Sequence, residues 1–474
     1  MKKVSAGSAA AASLLISLST AASAQSPQSP QPSPPSDDPL EIVHGAPKPA
    51  SVHGKFSVAS VGDLLLARPQ SQFGDPEMQK VLTLLRGADV AISNQEGMAF
   101  DLKTYAGWAY GDGQVWGYPG MARDYRAMGI DMVSVANNHA MDWGPVGLFD
   151  SMKLLDAAGV AHAGGGRDLK AARSAGFFDT PKGRVGLVAT ASTFKVNASA
   201  DDAFGETPAR PGISTLRTET IHEVTADQLK TIRSLATELA SPLKPAPPID
   251  ARQFTFGGET YRLADRTGLH YEMDRYDHAG LLEAVNQAKE QSDLVVFYIH
   301  AHESPTGVDD DTPEPPDFLI KLFHDVVDVG GDVVMGGGPH SLRGIEIYKG
   351  KPILYGLGLF YFKPVIMALQ ETALQQYSDE GFAPEPDPRP HNPESWYDSV
   401  LVISDFDGSR LERVRLYPID LKNTDPPGSR GVPHFAAPAK AKRILEKLQQ
   451  DSLQFGTKIV MQGSMGVINI SGGG

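Results

Sequence analysis

Asp293-Leu294-Val295-Val296-Phe297-Tyr298-Ile299-His300-Ala301-His302-Glu303 reads as a buried strand that meets solvent at its carboxyl end. Side chains alternate across a strand, so His300 and His302 point the same way. Two imidazoles side by side at such a strand end suggest a metal site more than packing. Alone the pair is weak evidence, because histidine fills many structural roles. Its weight comes from four other polar clusters that also end apolar runs.

Working outward from this strand, short β-rich runs alternate with helical stretches. Strands are predicted at 56–61, 90–93, 132–136, 185–191, 294–299, 333–335, 352–355 and 399–403. Helices are predicted at 77–86, 121–128, 147–158, 279–291 and 316–329. This alternation implies an α/β fold with helices packed on the sheet faces. Residues 197–275 break the rhythm, with a helix at 225–239, a proline-rich stretch at 242–248 and a hairpin signal at Gly257-Gly258; they are expected to be an insertion near the mouth of the site. A second insertion, 363–395, is polar and carries Pro384, Pro386, Pro388 and Pro390, as a long surface loop would. The main domain is expected over 56–421, followed by an extension over 437–474 with an amphipathic helix at 440–450, a strand at 457–461 and a glycine tail.

The 474 residues are 41% hydrophobic and 21% charged, an ordinary globular composition. A formal net charge of −14 argues against nucleic acid or an anionic membrane as a partner. Lys2 and Lys3 precede an apolar run over 9–21 and then Ala22-Ser23-Ala24, the pattern of a secretory signal peptide over 1–24 with a mature start at Gln25. The run is shorter than the ~20 residues that span a bilayer, and no later segment is long and apolar enough to do so. The chain has no cysteine, which excludes disulfides, a thiol nucleophile and lipidation at a cleavage-site cysteine. The expected location is therefore periplasmic or secreted. Residues 25–50, rich in proline and serine, read as a tether that cannot bury a core.

The other four clusters are Val61-Gly62-Asp63, Ser93-Asn94-Gln95-Glu96-Gly97, Asn137-Asn138-His139 with Asp142, and Gly336-Gly337-Gly338-Pro339-His340. In an α/β sheet, ligands bind in the crevice beyond the carboxyl ends of the strands. Asp, Glu, Asn and several His converging there describe a mixed nitrogen and oxygen site for one or two divalent cations. Asp142 is a candidate acceptor that orients His139, and Glu303 a candidate proton-handling group.

These clusters, in this order, resemble the CapA family of capsule and poly-γ-glutamate biosynthesis proteins, whose domain is similar to a divergent calcineurin-like metallophosphoesterase. The matching stretches are 61–63, 94–96, 133–166, 296–300 and 333–360, within an overall span of 56–421. The resemblance implies a four-layer α/β/β/α sandwich with the site on loops at one edge of two sheets. It places Asp63, Glu96, Asn138, His139, His300 and His340 in that site. His139 matches the histidine of the phosphoesterase Gly-Asn-His motif, which helps stabilise the transition state. Three departures stand out. The family usually shows Gly-His-x-Pro-His where this chain has Gly336 to His340, and Ser-Leu-Gly-Asn-Phe where it has Gly356 to Phe360. The Asp-x-His opening of true metallophosphoesterases is also missing, since Asp63 is followed by leucines. Lost ligands leave one ion, two or none open, with His302 a substitute for position 337.

Two functions follow from the resemblance. One is a hydrolase outside the cytoplasm, dependent on Zn, Mn or Fe and acting on a phosphoester or a γ-glutamyl polymer. Asp63, Glu96, Asn138, His300, His302 and His340 would be its ligands, His139, Asp142 and Glu303 its catalytic groups, and Asn94, Asn137 and Arg343 its substrate contacts. The other is a non-catalytic accessory protein that binds capsular polymer and assists its export beside membrane-bound synthesis machinery. A polyanion would then need a metal or a basic patch such as Arg343, Lys349 and Lys351. ATP-driven ligation is disfavoured, because no Gly-x-x-x-x-Gly-Lys-Ser/Thr loop is present.

Overall fold

Leu294–His300 is buried along its whole length, which requires cover on both faces of its sheet. Parity assigns the cover. Leu294, Val296 and Tyr298 face a second sheet, and Val295, Phe297 and Ile299 face helices. The computed structural model describes residues 48–72, 74–107, 114–308, 312–363, 365–367, 393–423 and 430–470. The expected signal peptide, nearly all of the tether, most of the 363–395 loop and the glycine tail lie outside the described residues.

The sheet that contains Leu294–His300 has the order Ile345–Tyr348, Lys351–Leu354, Val333–Gly337, Leu294–His300, Gly183–Ala191, Gly176–Thr180. The larger sheet has the order Val460–Gln462, Met465–Asn469, Arg410–Asp420, Asp398–Asp407, Lys55–Leu66, Val90–Gln95, Met132–Ser134, Ala161–Ala163. Val58, Val90, Ile92 and Met132 of the larger sheet pack against Leu187, Leu294, Val296 and Met335 of the smaller one. On its outer face, Ala91 and Val133 meet Val81, Leu82, Tyr125 and Leu148 from helices Pro76–Arg86, Met121–Met128 and Gly144–Ala158. On the other side, Phe297 and Val334 meet Leu281 and Val285 of Arg275–Gln291 and Leu322 and Phe323 of Asp317–Asp328. The result is the four-layer α/β/β/α sandwich. In both sheets the central strands run parallel, so their carboxyl ends gather along one edge.

The carboxyl-terminal residues complete this sandwich. Ala441, Ile444, Leu445 and Leu448 of helix Pro438–Ser452 enter the layer between the sheets, and Met465–Asn469 pairs antiparallel with residues 413–416. The strand expected at 457–461 forms at Val460–Gln462 instead, where it pairs with Met465–Asn469. Residues 218–273 build a separate four-stranded sheet under helix Ala226–Glu238, with Val224, Leu229, Ala236 and Phe254 as its small core. Gly257 and Gly258 both take positive φ (+68° and +98°), as the two-residue turn between Gln253–Phe256 and Glu259–Leu263 demands. Among the described residues no helix is long and apolar enough to cross a membrane.

The first core strand extends beyond the expected 56–61 to Lys55–Leu66. Its residues 55–60 pair with Asp398–Asp407, and from Asp63 onward that side is taken over by Leu359–Lys363. The exchange brings backbones into near contact: a Cβ on Gly62 would lie 1.9 Å from the Gly358 carbonyl oxygen. Gly62→Ala should therefore destabilise the protein by about 1–3 kcal/mol, as overpacking of a buried position does. Urea unfolding should show a lower midpoint at unchanged slope.

Candidate metal centre

Five strand ends meet at the shared edge. Asp63 lies opposite Asn94 in the larger sheet, and His300 lies opposite both Gly337 and Ala191 in the smaller one. His300 has the parity of Tyr298, so it points into the space between the sheets where the apolar layer ends.

Glu96, His300 and His302 are all buried, and they offer ligand atoms that lie within 4.8 Å of one another. The Nε2 atoms of His300 and His302 are 3.2 Å apart. Two imidazole nitrogens held at about 2.0–2.1 Å from one tetrahedral ion are separated by about 3.3 Å. Oε2 of Glu96 is buried with no hydrogen-bond partner, as is Oδ1 of Asn138. Such atoms are costly unless a cation or water completes them. His340 stands on the far side of Glu96, its Nε2 3.9 Å from Oε1, with its ring 5.5 Å from that of His302 and 4.2 Å from Trp396. This buried Glu/His/His group has the donor chemistry to hold a borderline divalent ion.

Electrostatics agree with that assignment. Burial, only partly offset by the Glu96 charge, pushes His300 down to about 3, so its imidazole is neutral at ordinary pH and its nitrogens are available as donors. Burial alone would raise the Glu96 carboxyl, but His340, His300 and His139 around it outweigh burial and hold it below the usual range. Asp63 moves the other way, pushed up to about 6 by burial and then by the neighbouring Glu96 charge.

His139 lies beside the cluster on the turn after Met132–Ser134. Its Nδ1 is 2.8 Å from Oδ2 of Asp142. A carboxylate can only accept, so the ring donates from Nδ1 and keeps Nε2 for other work. Asp142 is fully buried; it also accepts from the Val115 amide at 2.8 Å and pairs with the Lys195 ammonium. Asn137 Oδ1 accepts from the His139 amide at 3.1 Å and fixes the turn.

Other expected residues have different surroundings. Asn94 and Asn137 are fully buried and bonded to each other, within reach of Asp63 and Gln95 rather than of solvent. Glu303 is buried, and its Oε2 accepts from the hydroxyls of Ser192 and Thr193 at 2.8 and 2.9 Å. Arg343 is fully buried and donates to the carbonyls of Glu303 at 2.9 Å and Thr312 at 3.3 Å, so it braces the site loop. Lys349 is exposed and pairs with Asp328, and Lys351 pairs with Asp332. Sequence reasoning missed Tyr298, Lys195, Ser192, Thr193 and Trp396. Tyr298 shares the parity of His300, and Ser192-Thr193 ends another buried strand, so both were detectable; Lys195 lies on a loop and Trp396 in the short 3-10 helix Glu394–Tyr397, neither with a pattern.

The fold and site together are an α/β/β/α sandwich with a buried carboxylate and imidazole cluster at the shared sheet edge. The sequence profile described as "Bacterial capsule synthesis protein PGA_cap" matches residues 57–364, more than half of the chain. The chain belongs to this family. It is similar to an uncharacterized protein of Sinorhizobium fredii, 33% identical over 444 residues, covering 88% of this chain and 93% of that protein. A probable polyglutamine synthesis accessory protein of Mycobacterium tuberculosis is 27% identical over 225 residues, 48% of this chain and 43% of the relative. The PGA biosynthesis protein CapA of Bacillus subtilis is 34% identical over 93 residues, 20% of this chain and 23% of the relative.

The low proton affinity of His300 makes a signed prediction. An unfolded chain takes up this proton near pH 6.5, whereas the fold refuses it until about pH 3. Stability of chelator-treated protein should therefore fall through this group as pH drops below 6.5. Asp63 opposes the trend, since the fold holds its proton up to about pH 6. His300→Gln removes the first contribution and weakens the hold on the Glu96 carboxyl, which acts in the same direction. Thermal unfolding should show the variant gaining on the wild type as the solution is acidified, by up to about 1.4 kcal/mol per pH unit.

Proposed function

We propose that this chain is a metal-dependent hydrolase of capsule metabolism that works outside the cytoplasm on a phosphoester or a poly-γ-glutamate-type polymer. The observation that carries the reading is the buried Glu96, His300 and His302 group beside a histidine already held in one tautomer by a buried aspartate. A divalent ion such as Zn, Mn or Fe bound there supplies a Lewis acid and lowers the pKa of water. The chain's own groups do the rest. Asp142 orients His139 through Oδ2, while its other oxygen pairs with Lys195. Nε2 of His139 is then the atom that takes or returns a proton. Glu303, held by two hydroxyls, keeps the His302 turn in place, helped by the Thr193 hydroxyl on the His302 amide at 2.9 Å.

The extracytoplasmic location rests on the leader pattern of residues 1–24. The Mycobacterium tuberculosis relative, a polyglutamine synthesis accessory protein by name, favours a second reading: an accessory protein that binds polymer without catalysis beside membrane-bound synthesis machinery. Against it, a chain of net charge −14 whose Arg343, Lys349 and Lys351 are buried or paired has little with which to hold a polyanion unaided.

Purified protein should carry divalent metal by elemental analysis, and Glu96→Gln or His300→Ala should lose it. His139→Ala should keep the metal yet lose about 10²–10⁴-fold in hydrolysis of a phosphoester or γ-glutamyl substrate. Polymer binding that persists in a wild type without metal or hydrolysis would sink the hydrolase in favour of the accessory reading.

A further inference from the structure

We propose that the Tyr298 hydroxyl takes the place of a second ion beside Asp63, so that the centre binds one divalent cation through Glu96, His300 and His302 while Asp63 is not a ligand. The inference rests on the metal reading above and says how many ions the site takes.

Asp63 is fully buried, and both of its oxygens are already satisfied by protein donors. Oδ1 accepts from the Tyr298 hydroxyl at 2.8 Å and from Nδ2 of Asn94 at 3.0 Å. Oδ2 accepts from the Gly338 amide at 3.0 Å. These donors come from three different strand ends, so the carboxylate is enclosed. Glu96 differs, because its buried Oε2 has no hydrogen-bond partner.

The Asn94 amide cannot simply turn its oxygen toward Asp63 to share a cation. The Gln95 carbonyl requires a donor and takes the Asn137 NH₂ group at 2.7 Å. That same NH₂ group lies 3.1 Å from Oδ1 of Asn94. The chain of amides therefore directs an N–H at Asp63, the positive end of a dipole where a cation would otherwise stand.

Gly337 closes the argument. It lies opposite His300 in the sheet, one strand away from Tyr298. A Cβ there would sit 2.0 Å from the Tyr298 oxygen and 2.8 Å from Oδ1 of Asp63. The tyrosine and any side chain at 337 exclude each other, so no ligand enters from that strand while the phenol occupies this space. His302 supplies a nitrogen on the other side of His300, next to Glu96 and away from Asp63. The substitution is thus two separate events: Tyr298 fills the volume, and His302 adds a donor to the remaining ion.

The test is stoichiometry. The full chain, freed of metal by chelator, is titrated with Zn²⁺ and with Mn²⁺ by calorimetry, and bound metal is counted by elemental analysis after gel filtration. Wild type and Asp63→Asn should each bind a single ion, whereas Glu96→Gln should bind none. Two ions in the wild type would leave the metal reading standing and overturn this inference alone. Loss of the ion in a folded Asp63→Asn, checked by circular dichroism, would overturn it as well. No ion in the wild type would overturn the metal reading and this inference with it. Should Asp63→Asn fail to fold, the wild-type count still decides.

Discussion

The apolar layer between the two sheets is the constraint on which the rest depends. Val58, Ile92 and Met132 on one side and Leu187, Val296 and Met335 on the other exclude water along the length of the strands. With strand parity fixed by that burial, the next residue of each strand on the same face must emerge at the sheet edge. His300 follows Tyr298, which follows Val296. Their order along one face places an imidazole where the hydrocarbon ends, and the parallel neighbours bring Asp63, Glu96 and Gly337 to the same edge. The centre is a product of the core's alternation.

Charges buried at this edge are sustained unevenly. Glu96 is surrounded by imidazoles and keeps its charge, Asp63 is surrounded by neutral donors, and Asp142 is matched by the Lys195 ammonium. Burying a carboxylate is costly unless it is paired or hydrogen-bonded. The three solutions divide the site into a part that still calls for a cation, a part closed by hydrogen bonds and a part that tunes His139. The last two are saturated within the protein. Among the described residues, Glu96, His300 and His302 form the group that could hold an ion.

Much of this arrangement is legible in the chain. Alternating strand and helix signals specify an α/β sheet because burial on both faces forces continuous apolar runs such as Val295-Val296-Phe297. Polar clusters at the ends of those runs mark the edge. Asp63, Glu96, His139, His300, His302 and His340 lie together at that edge. Less was readable in Arg410–Asp420, where Arg410, Glu412, Arg413 and Arg415 mask the buried Leu411, Val414 and Leu416, so the strand that carries the carboxyl-terminal residues into the sandwich went unseen. The burial of Arg343 was not readable either. Arginine is seldom buried, and here the carbonyls of Glu303 and Thr312 receive it.

Hydrophobic periodicity was enough for an α/β sheet with helices on its faces and polar strand ends, since it acts over a few positions and needs no distant partner; the four layers followed only from the family resemblance. Packing between distant residues decided which buried carboxylate keeps an oxygen without a hydrogen-bond partner. That choice depends on contacts between residues far apart in the chain: Tyr298 on Asp63, Lys195 on Asp142, and the Asn137 to Asn94 amide chain. Hydrogen bonds are directional and short-ranged, so a pairing of this kind is specified only once packing has set each group in place.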